Sequence, residues 1–194
     1  METSMVEAQA DMRLGYYSGA AGVLASALAW SAAAGTAALV SPERAIWVLL
    51  VGGMLIHPVG VLICRLLGAP GAHSKLNPLG PLAAASTFWL IFSLPLAYGL
   101  GLQKPEWFLA AMLLIIGGRF LVFATVYGMR LYWALGISLA AAGVASHWLG
   151  LPAPVIAVAG AAIEGSFAVV GMLHHRNWVR PNNSSKPSPL RGAA

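Results

Sequence analysis

The chain has 194 residues, of which 59% are hydrophobic and 9% charged, and its net charge is +5. Soluble domains are about 45 to 50% apolar and about 25% charged, so this composition excludes an ordinary soluble protein. Apolar stretches of about 20 residues, enough for a helix to cross the hydrocarbon core, recur along nearly the whole chain. The predicted fold is therefore an all-α integral membrane bundle.

Charged residues and proline- or glycine-rich breaks divide the chain into a leading segment, six apolar stretches and a polar tail. Residues 1–14 are predicted to form a cytoplasmic N-terminal segment, folded as an interfacial helix. The transmembrane domain is predicted to cover residues 15–174. Its helices are expected at residues 15–40, 44–66, 79–101, 107–129, 131–150 and 153–174. Residues 175–194 are predicted to be a disordered basic cytoplasmic tail.

The first apolar stretch also admits a cleaved signal peptide, covering residues 1 to about 34. A signal peptide begins with positive charge. Here the acidic residues Glu2, Glu7 and Asp11 outnumber Arg13. We therefore interpret this stretch as the first transmembrane helix.

Basic side chains gather on one side of the six predicted helices. That side carries Arg13, Arg65, Lys75, Arg130, Arg176, Arg180, Lys186 and Arg191, whereas the other carries Arg44 and Lys104. Because cytoplasmic loops are enriched in Lys and Arg, both termini are predicted to be cytoplasmic. The run from His174 to Arg176 is typical of an interfacial anchor. We expect these cations to contact anionic lipid rather than nucleic acid.

Three ionisable residues, His57, Arg119 and Glu164, fall inside predicted spans. At 1.5 Å per helical residue they lie at a common depth, roughly 16 to 20 Å below the outer interface. A charge at that depth costs about 2.5 to 3.5 kcal/mol on insertion scales. We therefore expect these side chains to face the protein interior or a water-filled cavity and to find partners there.

Two interpretations of this polar set stay open. In the functional one, Arg119 and Glu164 form a buried ion pair in a substrate or proton pathway, and His57 is a titratable neighbour. In the structural one, the three residues only fix how the helices pack.

Pro58 lacks an amide hydrogen, so the helix around Gly53 and Pro58 is predicted to bend and to release a carbonyl group. Such a carbonyl can coordinate a cation or line a cavity, although a plain packing kink explains the same residues. Gly117 and Gly118, beside Arg119, admit the same two interpretations. The sequence contains no phosphate-binding loop or zinc-binding spacing, and no metal, cofactor or catalytic residue is predicted.

Several short runs of the chain resemble a bacterial family of small multi-pass membrane proteins of unknown function. They lie at residues 9–16, 41–42, 52–58, 77–80, 117–120 and 127–130. The resemblance spans roughly residues 9–145. It implies a location in the bacterial inner membrane and offers no activity, substrate or catalytic residue.

The leading functional hypothesis is a protein that binds or transports a small solute or an ion. In it, Arg119 contacts an anion, Glu164 is a proton or cation site, and His57 modulates both. One alternative is an intramembrane enzyme that acts on a lipid or other hydrophobic substrate, with His57 and Glu164 as acid and base. Another is an accessory or scaffolding protein. The expected partners are membrane lipids, a small solute, ion or proton, and a second copy of the chain.

Overall fold

The computed structural model describes residues 4–184, and these residues fold into seven helices. The helices are α1 (Met5–Gly15), α2 (Ala20–Leu39), α3 (Pro42–Leu66), α4 (Leu79–Gln103), α5 (Pro105–Tyr127), α6 (Leu131–Trp148) and α7 (Ala153–Ser184). A short 3₁₀ turn, Tyr17–Gly19, joins α1 to α2. The all-α prediction is confirmed.

Five of these helices, α2 to α5 and α7, are long and apolar enough to cross a membrane. The α6 helix is shorter, with 18 residues, and its ends carry the weakly apolar or polar side chains Tyr132, Trp133, His147 and Trp148. All six predicted apolar helices form, and five of them are long and apolar enough to span a membrane, so the sixth span remains a prediction.

The helix ends follow local backbone chemistry. Ser41 caps α3, because its hydroxyl accepts a hydrogen bond from the Arg44 amide at 3.2 Å and Pro42 occupies the first turn. The α2 helix begins at Ala20, later than predicted, because Tyr17–Gly19 leaves the helical conformation. The α7 helix continues to Ser184, and the rest of the predicted tail lies outside the described residues.

The α2 helix lies at the centre of the bundle, packed against α3 on one side and α7 on the other. Small residues allow these close approaches. A Cβ on Gly60 of α3 would lie 3.3 Å from the Cα of Gly22, and one on Gly160 of α7 would lie 2.7 Å from the Trp30 ring.

The second half of the bundle is built on α5, which packs against α6 and α4. Although α3 and α4 are consecutive, they barely touch each other within the described residues. They come together with α5 at one place, around Gly101, where a Cβ would lie 2.9 Å from the Phe108 Cβ and 3.2 Å from the Ile46 Cδ1. Away from this junction, α3 and α4 separate and leave a groove between them.

The α1 helix packs at the end of the bundle that also holds the α3–α4 connection, the α5–α6 turn and the last turns of α7. We call this the basic end, since most arginines lie there. Gln9 and Arg13 of α1 donate hydrogen bonds to the carbonyls of Thr125 (2.9 Å) and Gly128 (2.6 Å). These contacts fasten α1 to carbonyl groups at the end of α5.

Candidate functional site

The groove between α3 and α4 begins beside the junction at Gly101 as an apolar cleft of about 400 Å³. Its lining residues are Trp47 and Leu50 from α3, and Ile91, Leu94, Pro95 and Tyr98 from α4. The cleft opens sideways, toward the surroundings of the bundle. Its shape and lining suit an apolar chain.

Helix periodicity shows which residues line the groove further toward the basic end. Eleven residues make about three turns, so residues eleven apart lie on the same helix face and about 16 Å apart along the axis. His57 follows Ile46 by this spacing on α3, and Arg119 follows Phe108 by the same spacing on α5. Because Ile46 and Phe108 meet at the junction, helix periodicity predicts that His57 and Arg119 face the same space between the helices, three turns nearer the basic end.

Arg119 reaches from α5 to α4. Its Nη2 donates a hydrogen bond to the Thr87 hydroxyl at 3.0 Å, and its guanidinium lies 5.1 Å from the centre of the Phe123 ring. Thr87 precedes Tyr98 by eleven residues, so it belongs to the groove face of α4. The Arg119 Nε is buried and has no hydrogen-bond partner among the described residues. The guanidinium is thus held in place with part of its donor capacity unused.

His57 is exposed, as are Gly53 and Pro58 on the same stretch of α3. The helix continues through this proline to Leu66. His57 is therefore not packed in the protein interior, and of its two predicted environments the structure leaves an open one.

Glu164 lies in a different part of the bundle. It is fully buried on α7, with Ser26 and Trp30 of α2 close enough to interact with its carboxylate. Both carboxylate oxygens and the Trp30 Nε1 nevertheless lack a well-formed hydrogen bond within residues 4–184. A buried acid without hydrogen-bond partners is costly, which makes Glu164 the least satisfied polar group near the core.

The structure does not form the predicted ion pair between Arg119 and Glu164. Within the described chain, no Arg119 nitrogen reaches the carboxylate oxygens, although the two charges remain close enough to influence each other. The two side chains point in different directions: Arg119 points toward α4 and the groove, whereas Glu164 is enclosed between α7 and α2.

Gly117 and Gly118 have different environments. A Cβ on Gly117 would lie 2.6 Å from the Gly136 carbonyl oxygen of α6, whereas one on Gly118 would meet nothing within 4 Å. Gly117 therefore serves the close contact between α5 and α6. The α5 helix is continuous through both glycines.

The basic end holds a second polar cluster, which the sequence did not indicate. Tyr17, Ser18 and Gly19 all have positive φ angles of 54°, 55° and 81°. The Ser18 hydroxyl lies 2.8 Å from the His175 Nδ1, and the Tyr132 hydroxyl donates to the Ser18 carbonyl at 2.7 Å. Left-handed non-glycine residues cost about 1 to 3 kcal/mol each and are often found at functional sites.

The connection between α3 and α4 is fastened to α1 beside this cluster. The Tyr16 hydroxyl is hydrogen-bonded to the His73 Nδ1 at 2.9 Å, and the Asp11 carboxylate accepts from the Asn77 side chain at 2.7 Å. Burial raises the pKa of the Tyr16 hydroxyl and lowers the pKa of the Arg13 guanidinium. Residues far apart in sequence are thereby joined, a connection that no local pattern reveals.

No curated protein and no solved structure shows detectable similarity to this chain. One family model does match it, over residues 5–174, a range that includes His57, Arg119 and Glu164. This range is wider than the residues 9–145 over which the sequence resembles a family of unknown function, and it reaches into α7. The chain belongs to a family of unknown function (DUF7010).

Proposed function

We propose that this membrane protein binds an anionic amphiphile with a single apolar chain, which enters the groove between α3 and α4 from the bilayer. The observation that carries the proposal is the environment of Arg119, which contains no counter-charge among the described residues. This cation lies deep in the groove, and it is held there by a neutral hydroxyl and an aromatic ring.

A cation inside a bilayer is expensive unless an anion accompanies it. Within the described residues, no carboxylate lies within 4 Å of Arg119, and its Nε has no partner. A planar guanidinium binds carboxylate or phosphate oxygens through two parallel hydrogen bonds. The anionic group of a ligand would supply the counter-charge at the terminal nitrogens of the guanidinium.

The shape of the groove favours an amphiphile over a small hydrophilic anion. The cleft beside the junction is lined almost entirely by apolar side chains, including Trp47 and Leu94. By helix periodicity, the faces of α3 and α4 that line the cleft lead toward the level of His57 and Arg119. A ligand with its chain in the cleft and its anionic group at Arg119 would match both parts.

In this proposal His57 is a second polar contact, on the opposite wall from Arg119. Glu164 remains the candidate proton or cation site behind the groove and does not touch the ligand, since it is fully buried. Its charge state would instead tune the electrostatic potential at Arg119.

We further propose that α6 also crosses the membrane, giving six spans with both termini in the cytoplasm of a bacterium. The support is the concentration of Lys and Arg at the basic end, the side that cytoplasmic loops occupy in bacterial inner-membrane proteins. The resemblance to a bacterial family of multi-pass proteins agrees with this assignment.

The test is a binding measurement with the full chain in lipid nanodiscs. The probes are oleate and oleyl alcohol, which share a chain and differ in charge. We expect wild type to bind oleate more tightly than the alcohol, and Arg119→Gln to lose about 10- to 100-fold in oleate affinity, because hydrogen bonds to a charged group contribute about 1.5 to 3 kcal/mol.

Arg130→Gln is the matched control, since Arg130 is exposed at the basic end, outside the groove. It should bind both probes as wild type does, and Arg119→Lys should retain part of the oleate preference. Equal affinity of wild type for oleate and oleyl alcohol would refute the proposal. So would an oleate affinity that Arg119→Gln leaves unchanged.

A further inference from the structure

A separate cavity of about 450 Å³ opens at the basic end, apart from the groove. The turn at Tyr17, the start of the α3–α4 connection and the last turns of α7 enclose it. Its polar lining consists of Tyr17, His175, Arg176 and Arg180, and the rest is mainly apolar, with Leu14 and Leu67 among the lining residues. The cavity thus combines two guanidinium groups with an apolar wall.

The two arginines are placed to act together. Residues four apart lie on the same helix face, one turn from each other, so Arg176 and Arg180 project from one side of α7. The Arg176 Nε donates to the Tyr17 hydroxyl at 3.2 Å. This bond orients the guanidinium and leaves its terminal nitrogens available. Among the described residues no carboxylate belongs to the cavity lining.

The wall opposite the arginines is rigid. The Tyr17 ring packs on the His175 ring with centroids 4.0 Å apart, and His175 is in turn hydrogen-bonded to Ser18. Tyr132 holds the Ser18 carbonyl from α6. Three separate segments therefore fix the position of the Tyr17 hydroxyl, and through it the position of Arg176.

We infer that this cavity binds a phosphate group, with Arg176 and Arg180 contacting its oxygens. Guanidinium groups pair with phosphate through charge-assisted hydrogen bonds, and basic pockets between transmembrane helices at the membrane surface accept anionic lipid headgroups. The apolar wall provides a surface for the glycerol and the first methylenes of an acyl chain. The same chemistry would accept free phosphate, so the test separates the two sources.

The experiment uses the full chain in two kinds of nanodisc, one of phosphatidylcholine alone and one that also contains phosphatidylglycerol. Native mass spectrometry counts the phosphatidylglycerol molecules that stay bound when the protein is released. We expect wild type to retain this lipid and the double variant Arg176→Gln, Arg180→Gln to bind it about 30-fold more weakly, because each basic side chain near an anionic surface contributes about fivefold.

The control is the double variant Arg65→Gln, Arg130→Gln, which removes two exposed arginines of the same end that do not line the cavity. It should retain the lipid. Equal loss in both double variants would mean general surface attraction and would overturn the inference. Full retention by Arg176→Gln, Arg180→Gln would exclude a lipid headgroup as the source of the phosphate. Unfolding temperatures in phosphatidylcholine alone verify that each variant is folded.

A second measurement identifies free phosphate as the source. Inorganic phosphate at millimolar concentration is added to the phosphatidylcholine nanodiscs, and the unfolding temperature is compared with that in chloride. A rise in wild type that is absent from Arg176→Gln, Arg180→Gln, without variant-dependent lipid retention, assigns the cavity to free phosphate. If neither phosphate nor lipid distinguishes this variant from wild type, the cavity is not a phosphate site.

Discussion

Arg119 and Glu164 are close in the bundle but contact different helices. This difference determines whether the effects of their substitutions on stability are additive. Arg119 is bonded to Thr87 in the groove, whereas Glu164 is enclosed by α2 and α7. When one partner of a buried ion pair is removed, the protein loses about 3 to 5 kcal/mol of stability, because the other charge is left buried and unpaired. Residues that do not share a contact behave nearly additively.

We therefore expect a double-mutant cycle of Arg119→Gln and Glu164→Gln to give a coupling energy of about 1 kcal/mol or less. The free energy of unfolding, measured by denaturant titration in mixed micelles, provides the four values. Glu164→Gln alone should be neutral or stabilising, because it replaces a partnerless acid by an uncharged amide of similar shape. A coupling of several kcal/mol would show that the two side chains form an ion pair in the membrane.

At the scale of the helices, two adjacent glycines offer a matched pair of substitutions. A methyl group on Gly117 would collide with the Gly136 backbone of α6, whereas one on Gly118 would meet open space. Gly117→Ala should therefore cost about 1 to 3 kcal/mol of stability, because overpacking forces α5 and α6 apart. Gly118→Ala should be neutral or stabilise by up to about 1 kcal/mol, since alanine favours the helix. Equal effects would contradict this packing, and thermal unfolding measures both.

The helices themselves were largely predictable, because an apolar stretch in lipid must satisfy its backbone internally and so becomes helical. Which helices are neighbours was not. The separation of α3 from α4 arises because α3 packs mainly on α2 and α4 packs mainly on α5. No residue pattern within α3 or α4 predicts it. The environment of His57 depends on the same neighbours: Gly60 contacts α2, whereas His57, one turn earlier on α3, is exposed.

The sequence identified the ionisable residues of the candidate site but did not predict which side chains they contact. Ionisable residues inside apolar stretches are conspicuous, so His57, Arg119 and Glu164 were found. Thr87 was not, because a lone threonine in a membrane helix gives no signal until its distance to Arg119 is known. The strained turn at Ser18 was missed too, since its conformation depends on His175, which lies 157 residues further along the chain.

For the molecule as a whole, the open question of five or six spans depends on α6. This helix runs back along α5: Gly136 packs on Gly117, and a Cβ on Gly143 would lie 2.6 Å from the Ala110 carbonyl oxygen. Ala110 is close to the start of α5, so α6 covers most of the length of a helix that is itself long enough to span. We therefore expect Arg130 and Leu149, at the two ends of α6, to lie on opposite sides of the membrane.

Cysteine labelling in intact cells tests this arrangement, with the buried Cys64 changed to serine. Single cysteines replace Lys104, Arg130 or Leu149, all of them exposed. A membrane-impermeant maleimide should label Lys104→Cys and Leu149→Cys from outside, and Arg130→Cys only after permeabilisation. Labelling of Leu149→Cys together with Arg130→Cys would mean that α6 does not cross. A full inversion of the pattern would place the basic end, and with it the cavity at Arg176, on the outer surface.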